Sequence, residues 1–437
     1  MMHALRYLAM MIVAVLLSLG VPPNLVWSQS TSADQTILRY QRLLQRNSRD
    51  ATVYYRLGDA YTQKARETGD IAYISLAEKA LRKSLEIAPE HGGAARHLAY
   101  AMYMRHGFDE AAIQAQRAVA LDPTDSHAYG ILGDAHLEVG KYEAATHAYH
   151  RMIQLQGDLY AYSRLSGLKS LQGDTAGAIA DLERAIQLGQ AQERPPESIA
   201  WAMWQLGNEF LALGKLPAAE ARYVEALDTF PDYYRALAGL AQVRAAQGRY
   251  AEAVELYRQA ITIVPSPDYA AALGDVYMKL ERPEDGQKQY DLVEYIGRLN
   301  TLNKVLYNRE LAYFYVDHDR KLPEALDLAR RELEVRRDVY AYDLLAWALY
   351  KNDQPHEALA AMTEALKLGS QDARLFFHAG MIHHRLGEHE QARDYLRRAL
   401  TTNPYFHVVH AEVAERTLNA VEWQLGMAMF QEKTDDR

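Results

Sequence analysis

Four histidines lie within twelve residues in "HAGMIHHRLGEHE": His378, His383, His384 and His389. Imidazole is the commonest protein ligand for zinc and its neighbours, so a metal centre is the chemistry to weigh first. The spacing speaks against one. His384 and His389 are five apart, which is poor ligand spacing on a helix, and Gly387 is placed to end the helix between them. His147 and His150 are three apart and can face one way, yet neither group has a carboxylate at ligand spacing. No metal and no cofactor are expected. The chain also has no cysteine, which excludes disulfides, thiol catalysis, zinc ribbons and iron–sulfur ligation by its own thiolates. No G-x-S-x-G, P-loop, H-E-x-x-H or G-x-G-x-x-G occurs in a suitable context. The sequence predicts no enzyme.

Aromatic residues are the other group that could do chemistry. There are 30 Tyr and 5 Trp against 8 Phe, so most rings carry a polar handle. Such rings suit surfaces where one edge packs and the other meets water or a guest. Whether they reach such a surface depends on the elements that carry them.

Those elements repeat. A Leu-Gly or Leu-Ala anchor recurs at Leu57-Gly58, Leu98-Ala99, Leu132-Gly133, Leu165-Ser166, Leu206-Gly207, Leu240-Ala241, Leu273-Gly274, Leu311-Ala312, Leu345-Ala346 and Ala379-Gly380. The steps are 41, 34, 33, 41, 34, 33, 38, 34 and 34 residues, a period of 34 with three insertions. Each unit divides into two helical patterns. In the unit from Gln205 to Pro231, Leu206, Gly207 and Phe210 form one apolar stripe and Ala219, Tyr223 and Ala226 a second. Between them "GKLP" supplies Gly214 as a helix stop and Pro217 as a helix start. The small residue at the anchor lets the second helix approach, and the bulky residue opposite fills the space.

This grammar resembles the tetratricopeptide repeat, over about 350 residues from Ala51 to Pro404. Its eight signature positions fall here on Met203, Leu206, Gly207, Phe210, Ala219, Tyr223, Ala226 and Pro231. In the final unit they fall on Phe376, Ala379, Gly380, His383, Ala392, Leu396, Ala399 and Pro404, which places His383 in packing. The resemblance implies an all-α, right-handed superhelical solenoid of about ten helix-turn-helix repeats with capping helices. The expected layout is a signal peptide over 1–28, an N-terminal capping helix over 29–50 and repeats over 51–404. A C-terminal capping helix and tail follow over 405–437. The insertions divide the repeats into sub-blocks 51–190, 197–300 and 305–404, with Pro195-Pro196 as a stiff spacer.

In the family the first helix of each repeat lines a concave inner wall. The resemblance puts Tyr100, Tyr103, Trp201 and Trp204 on that wall, and further along Tyr313, Tyr340, Trp347 and Tyr350. Arg96, Asp134, Arg235, Asp268, Asp275, Arg309, Asp343 and Arg374 interleave with them. Asn208 sits where the family often holds a peptide backbone. Aromatic residues give large contact area at low entropic cost, so they anchor binding energy. The expected function is therefore an extracytoplasmic protein–protein interaction scaffold or adaptor. It would hold an extended segment or helix of an unidentified protein in an aromatic-lined groove. Trp201, Trp204 and Asn208 would make the first contacts, and Tyr340, Trp347 and Tyr350 the second. The alternative is a polysaccharide-binding or export-machinery module, since rings beside Asp and Arg also suit sugars. The Lys/Arg/Asn constellation of the family's two-carboxylate clamp is not found here.

Location rests on the first residues. Arg6 precedes an apolar run from Leu8 to Val21, which Pro22-Pro23 ends. As a helix this run spans roughly 21 Å, short of the ~30 Å hydrocarbon core. It resembles a secretory signal peptide of the bacterial type, with cleavage after Ser28. The expected location is periplasmic or extracellular, with an uncleaved membrane anchor as the alternative. A net charge of −9 argues against a general affinity for nucleic acid.

Overall fold

A computed structural model describes residues 32–302 and 309–435. The expected signal peptide and its cleavage site lie outside the described residues. The described residues form 22 helices joined by short turns, with no strand. None of these helices is long and apolar enough to cross a membrane.

A single helix, α1 (Ser32–Arg46), comes first. Ten hairpins follow. They are α2 (Ala51–Thr68) with α3 (Ala72–Ile87), α4 (Gly92–Met104) with α5 (Phe108–Leu121), and α6 (Ser126–Glu138) with α7 (Tyr142–Leu155). Next are α8 (Leu159–Leu171) with α9 (Thr175–Ala191), α10 (Pro196–Ala212) with α11 (Leu216–Thr229), and α12 (Tyr234–Ala246) with α13 (Tyr250–Ile263). Then come α14 (Pro267–Lys279) with α15 (Pro283–Leu302), and α16 (Arg309–Asp317) with α17 (Leu322–Val335). The last two are α18 (Val339–Lys351) with α19 (Pro355–Leu366), and α20 (Ala373–Arg385) with α21 (His389–Thr402). A long helix, α22 (His410–Asp435), closes the series.

Contacts group the chain into two units, one ending at Ala94 and one beginning at Ala95. In the first unit α1 packs on α2. Asp34 bonds Lys64 at 2.8 Å and Gln41 Nε2 donates to the Tyr61 hydroxyl at 2.8 Å. Asp50 caps α2 by accepting the Val53 amide, and Gly69 ends it at φ 69°. A Cβ at Gly58 would meet Leu81 at 2.6 Å, so the anchor must be small for α3 to lie this close.

The second unit repeats that contact with tyrosine. A Cβ at Gly133, Gly207 or Gly274 would lie 2.3, 2.4 or 2.4 Å from the ring of Tyr149, Tyr223 or Tyr290. Each of these rings is buried, and its hydroxyl donates to the residue after the glycine: Asp134 (2.9 Å), Asn208 (2.8 Å) or Asp275 (2.8 Å). Fifteen residues separate donor and acceptor each time. The apolar ring fills the space the glycine leaves, and the hydroxyl finds a partner on the inner wall.

The insertions lengthen helices. Helices α2, α9, α10 and α15 have 18, 17, 17 and 20 residues, against 13 or 14 in α5 to α8. Pro195 and Pro196 do not form the expected extended spacer. Pro195 is the N-cap of α10 and Pro196 its first residue, where a missing N–H costs nothing.

Within the second unit, turns far apart in sequence meet. The Arg337 amide donates to the Glu138 carbonyl (2.9 Å), Ser370 Oγ to the Leu171 carbonyl (2.6 Å), and Asn403 Nδ2 to the Leu211 carbonyl (2.9 Å). These acceptors sit in the last turns of α6, α8 and α10, where carbonyls lack partners inside the helix. The donors lie 199, 199 and 192 residues later, on turns that precede α18 and α20 or follow α21. Gly140 (φ 73°) and Gly173 (φ 79°) make the approach possible. A Cβ on either would stand 2.4 Å from the carbonyl oxygen of Arg337 or Gly369. Gly248 has the same backbone (φ 72°) with nothing within 4 Å. Gly140→Ala and Gly173→Ala are therefore expected to lower stability by about 2–4 kcal/mol, and Gly248→Ala by only about 1 kcal/mol. Chemical denaturation of the three variants checks this ordering.

Candidate functional site

The inner wall is built by the first helix of each hairpin, and an aspartate starts many of these helices. Asp125, Asp158, Asp338 and Asp372 accept backbone amides at the N-termini of α6, α8, α18 and α20. Two of these caps also bind a wall arginine 29 residues earlier. Arg96 Nη1 reaches both Asp125 oxygens (2.9 and 2.8 Å), and Arg309 holds Asp338 (2.8 Å) and Glu332 (2.8 Å). The wall arginines Arg96 and Arg309 thus tie successive repeats together.

Arg235 and Arg374 have no such partner. The position 29 residues after Arg235 is Val264, and after Arg374 it is Asn403. No carboxylate among the described residues lies within ion-pair distance of either guanidinium. Each is laid on rings instead. Arg235 lies 5.1 Å from the ring centres of both Trp204 and Tyr234, and Arg374 lies 4.5 Å from that of Tyr313. Tyr234 meets Tyr269 at 6.3 Å. Beside Tyr269, Asp268 opens to water at the start of α14. Loss of part of its water shell, and then the charge of Glu310, push its carboxyl up to about 7 against the pull of Arg374. A strip made of the half-open rings of Trp204 and Tyr269, the buried rings of Tyr234 and Tyr313, two free guanidinium edges and one carboxyl that titrates near neutrality thus runs from α10 to α20.

The sequence-predicted wall residues separate into two groups. Trp201, Trp204, Tyr100, Tyr103, Tyr340 and Tyr350 are half-buried. Asn208 is also half-buried; its Oδ1 accepts the Tyr223 hydroxyl and its Nδ2 makes a long bond to Gln205 (3.3 Å). Tyr103 donates to Glu138 at 3.0 Å. Tyr313 and Trp347 are buried. The Tyr313 hydroxyl donates to Asp343 (2.9 Å) and to the Tyr340 carbonyl (3.0 Å). Trp347 is 2% exposed, and its Nε1 donates to Asp317 at 2.8 Å. Tyr350 and His378 stack on it at 4.8 and 4.2 Å. Trp347 joins repeats and offers no face to a guest in this structure, so the second expected contact cluster is reduced to Tyr340 and the outer edge of Tyr350.

The wall acids act mostly as internal acceptors. Asp134 takes Arg164 through Nε and Nη2 at 2.9 Å, and Asp343 takes His378 Nδ1 at 2.8 Å. At Asp275, His318 donates from Nε2 (2.8 Å) while its Nδ1 faces the Phe314 carbonyl (2.8 Å). Both ring nitrogens of His318 meet acceptors, an arrangement that favours the protonated ring. Burial opposes that charge, but Asp275 outweighs it and raises the His318 pKa. Within the histidine-rich segment 378–389, His383 bonds Glu388 (2.5 Å) and stacks on Tyr395, as its packing position implied.

Sequence reasoning missed the contacts between late turns and early helices. The 403–408 segment lies over α12 and α14, and with them it lines a cavity of about 140 Å³ that includes Gln242, Asp275, Tyr405 and His407. Asp317, His407 and His410 each bring one ligand atom within 4.8 Å of the others. The spacing of "HVVH" at 407–410, at a helix start, was the available signal.

Residues 205–269 and 344–405 match the tetratricopeptide repeat family model. Among curated proteins, the chain is 26% identical over 212 residues to human protein O-mannosyl-transferase TMTC1, covering 48% of this chain and 23% of that one. It is 22% identical over 289 residues to a TPR repeat-containing protein of Methanocaldococcus jannaschii, covering 61% and 48%. The chain spans less than half the length of either relative. Among solved structures, the human IFIT1 dimer with m7Gppp-AAAA aligns with a TM-score of 0.51 at 15% identity, over 76% of each chain. That likeness is one of fold alone.

The contact between early and late repeats carries its own pH signature. His106 (φ 65°) stacks on Phe108, over which Arg336 also lies (4.9 Å). Burial, and then Arg336 and Arg309, push the His106 pKa down to about 3. The unfolded chain binds a proton near pH 6.5 and the folded one does not. Stability is therefore lost as pH falls from about 6.5 toward 3, by about 1–2 kcal/mol at pH 5. His106→Asn, which tolerates the left-handed backbone, is expected to shrink the drop in melting temperature between pH 7 and pH 5.

Proposed function

We propose that this chain, whose residues 205–269 and 344–405 match the tetratricopeptide repeat family model, is a scaffold that holds an extended segment of another protein along the strip from Trp204 to Tyr340. Proteins of this repeat class are in general interaction scaffolds. The observation that carries the finer reading is the state of Arg235 and Arg374. Other wall arginines bind the cap of the next repeat, whereas these two keep their N–H edges free above aromatic faces. A guanidinium on a ring retains its in-plane donors, so it can receive the carbonyls of an extended chain while the rings receive apolar side chains. Trp201 and Asn208 flank the Trp204 end and Tyr340 the Arg374 end. Asp268 supplies a group that can donate or accept near neutral pH. The reading assigns no reaction to the strip.

The test is a peptide array probed with the purified protein and with a Trp204→Ala, Arg235→Gln variant. A central aromatic anchor is worth about 2 kcal/mol, so a loss of at least tenfold in affinity is expected. A folded variant that binds the same peptides equally well would overturn the reading. Binding to glycans with none to peptides would replace it with the polysaccharide-binding alternative, which the same rings beside Asp and Arg support.

Export stays part of the proposal, supported by Arg6 and the apolar run from Leu8 to Val21. Mass spectrometry of the protein recovered from its native host is expected to find Gln29 as the first residue. A chain that still begins at Met1 in a membrane fraction would favour the anchor.

A further inference from the structure

We infer that Asp317, His407, His410 and Asp275 form a binding site for one divalent transition cation, zinc by its chemistry, which clamps the start of the last helix to the inner wall. The first three ligands already converge: one ligand atom from each lies within 4.8 Å of the other two. His410 is 5% exposed, and its Nδ1 has no hydrogen-bond partner although it is buried. That nitrogen faces Asp317 Oδ1 at 3.9 Å. In a tetrahedral shell with bonds of about 2.0–2.2 Å, neighbouring ligand atoms stand roughly 3.3 Å apart. Closing the gap between these two atoms takes about half an ångström of side-chain movement, and bringing in the third, within 4.8 Å of both, takes up to about 1.5 Å. A buried imidazole nitrogen without a partner, aimed at a carboxylate at this separation, has the placement of a metal ligand.

The surroundings fit the same reading. Trp347 Nε1 donates to Asp317 Oδ1, and the Tyr290 hydroxyl and His318 both donate to Asp275 Oδ1. Both carboxylates are thus oriented by a second layer of donors, as metal-binding acids are. The other oxygen of Asp275 lies 3.8 Å from His407 Nε2, outside the three converging atoms but where it would serve as the fourth ligand. Two imidazoles and two carboxylates suit zinc better than calcium or magnesium, which prefer all-oxygen shells.

One group must change on loading. His407 Nδ1 now accepts the amides of Val409 and His410 (3.1 and 3.3 Å), so its proton sits on Nε2. A cation on Nε2 moves that proton to Nδ1 and turns the ring off the two amides it caps. Those amides should then exchange with deuterium faster, while the rest of α22 exchanges more slowly.

The test uses the full chain without a histidine tag, titrated with Zn(II) and with Co(II) as a visible probe. One equivalent should bind, cobalt should show the strong visible absorption of a tetrahedral site, and zinc should raise the melting temperature by at least about 2 °C. His407→Asn keeps a side chain that caps a helix but removes the ligand, and His410→Gln keeps a neutral polar group. Each is expected to fold and to lose at least tenfold in zinc affinity. Failure of the folded wild-type protein to bind either metal stoichiometrically would overturn the inference. So would unchanged binding in both variants, and loss of binding on replacing the near-surface pair His384 and His389 would then place the metal there.

Discussion

The closeness of the two helices in a hairpin is the constraint on which everything else in this molecule depends. At Gly133, Gly207 and Gly274 a tyrosine ring from the second helix stands where a Cβ would otherwise be, and at Gly58 and Gly380 a leucine does. The tyrosine hydroxyl must then emerge on the far side of the first helix, on the inner wall. A buried hydroxyl needs a partner, and the residue after the glycine supplies one as Asp134, Asn208 or Asp275. Packing inside a hairpin thereby decides that an acid or amide will stand on the wall, before any question of binding arises. Much of the wall's polarity is a product of how the hairpins close.

The wall acids in turn organise the next repeat. Asp134 receives Arg164 from the following hairpin, and Asp275 receives His318. Arg96 and Arg309 reach forward to the caps of the helices that follow. These pairs are partly buried, so their benefit lies in fixing the angle between repeats as much as in net stability. The angle has a consequence at long range, because it brings the turns before α18 and α20, and the one after α21, onto the carboxyl ends of α6, α8 and α10. The chain's own late turns therefore cover the carboxyl ends of these early helices.

This explains which features were legible in the sequence. The hairpins, their anchors, the stop at Gly214 and the start at Pro217 are local, with a period that a single chain displays by repetition. The wall register of Trp204, Arg235 and Arg374 follows from the same period. Burial of Trp347 does not, since it depends on Asp317, His378 and His410, which converge from three different elements. The bond between Asn403 and Leu211 spans 192 residues and leaves no periodic trace. The histidines that drew notice in the sequence were dense in one segment. His407 and His410 were overlooked because their acidic partners, Asp317 and Asp275, lie about 90 and 130 residues away and become neighbours only through the inter-repeat angle.

The difference between a tied and an untied arginine follows from the same geometry. A wall arginine is satisfied when the helix 29 residues on begins with aspartate, because the cap carboxylate has lone pairs left after taking backbone amides. After Arg235 the next wall helix begins with Ser266 and Pro267, and no acid stands in reach. After Arg374 the repeat series ends, and Asn403 occupies the place of the cap with its amide already given to Leu211. The two free guanidiniums therefore mark the points where the internal lattice of caps is interrupted. Among the described wall arginines these two keep hydrogen-bonding capacity that the fold does not use, and the rings of Trp204, Tyr234 and Tyr313 hold the two cations in place.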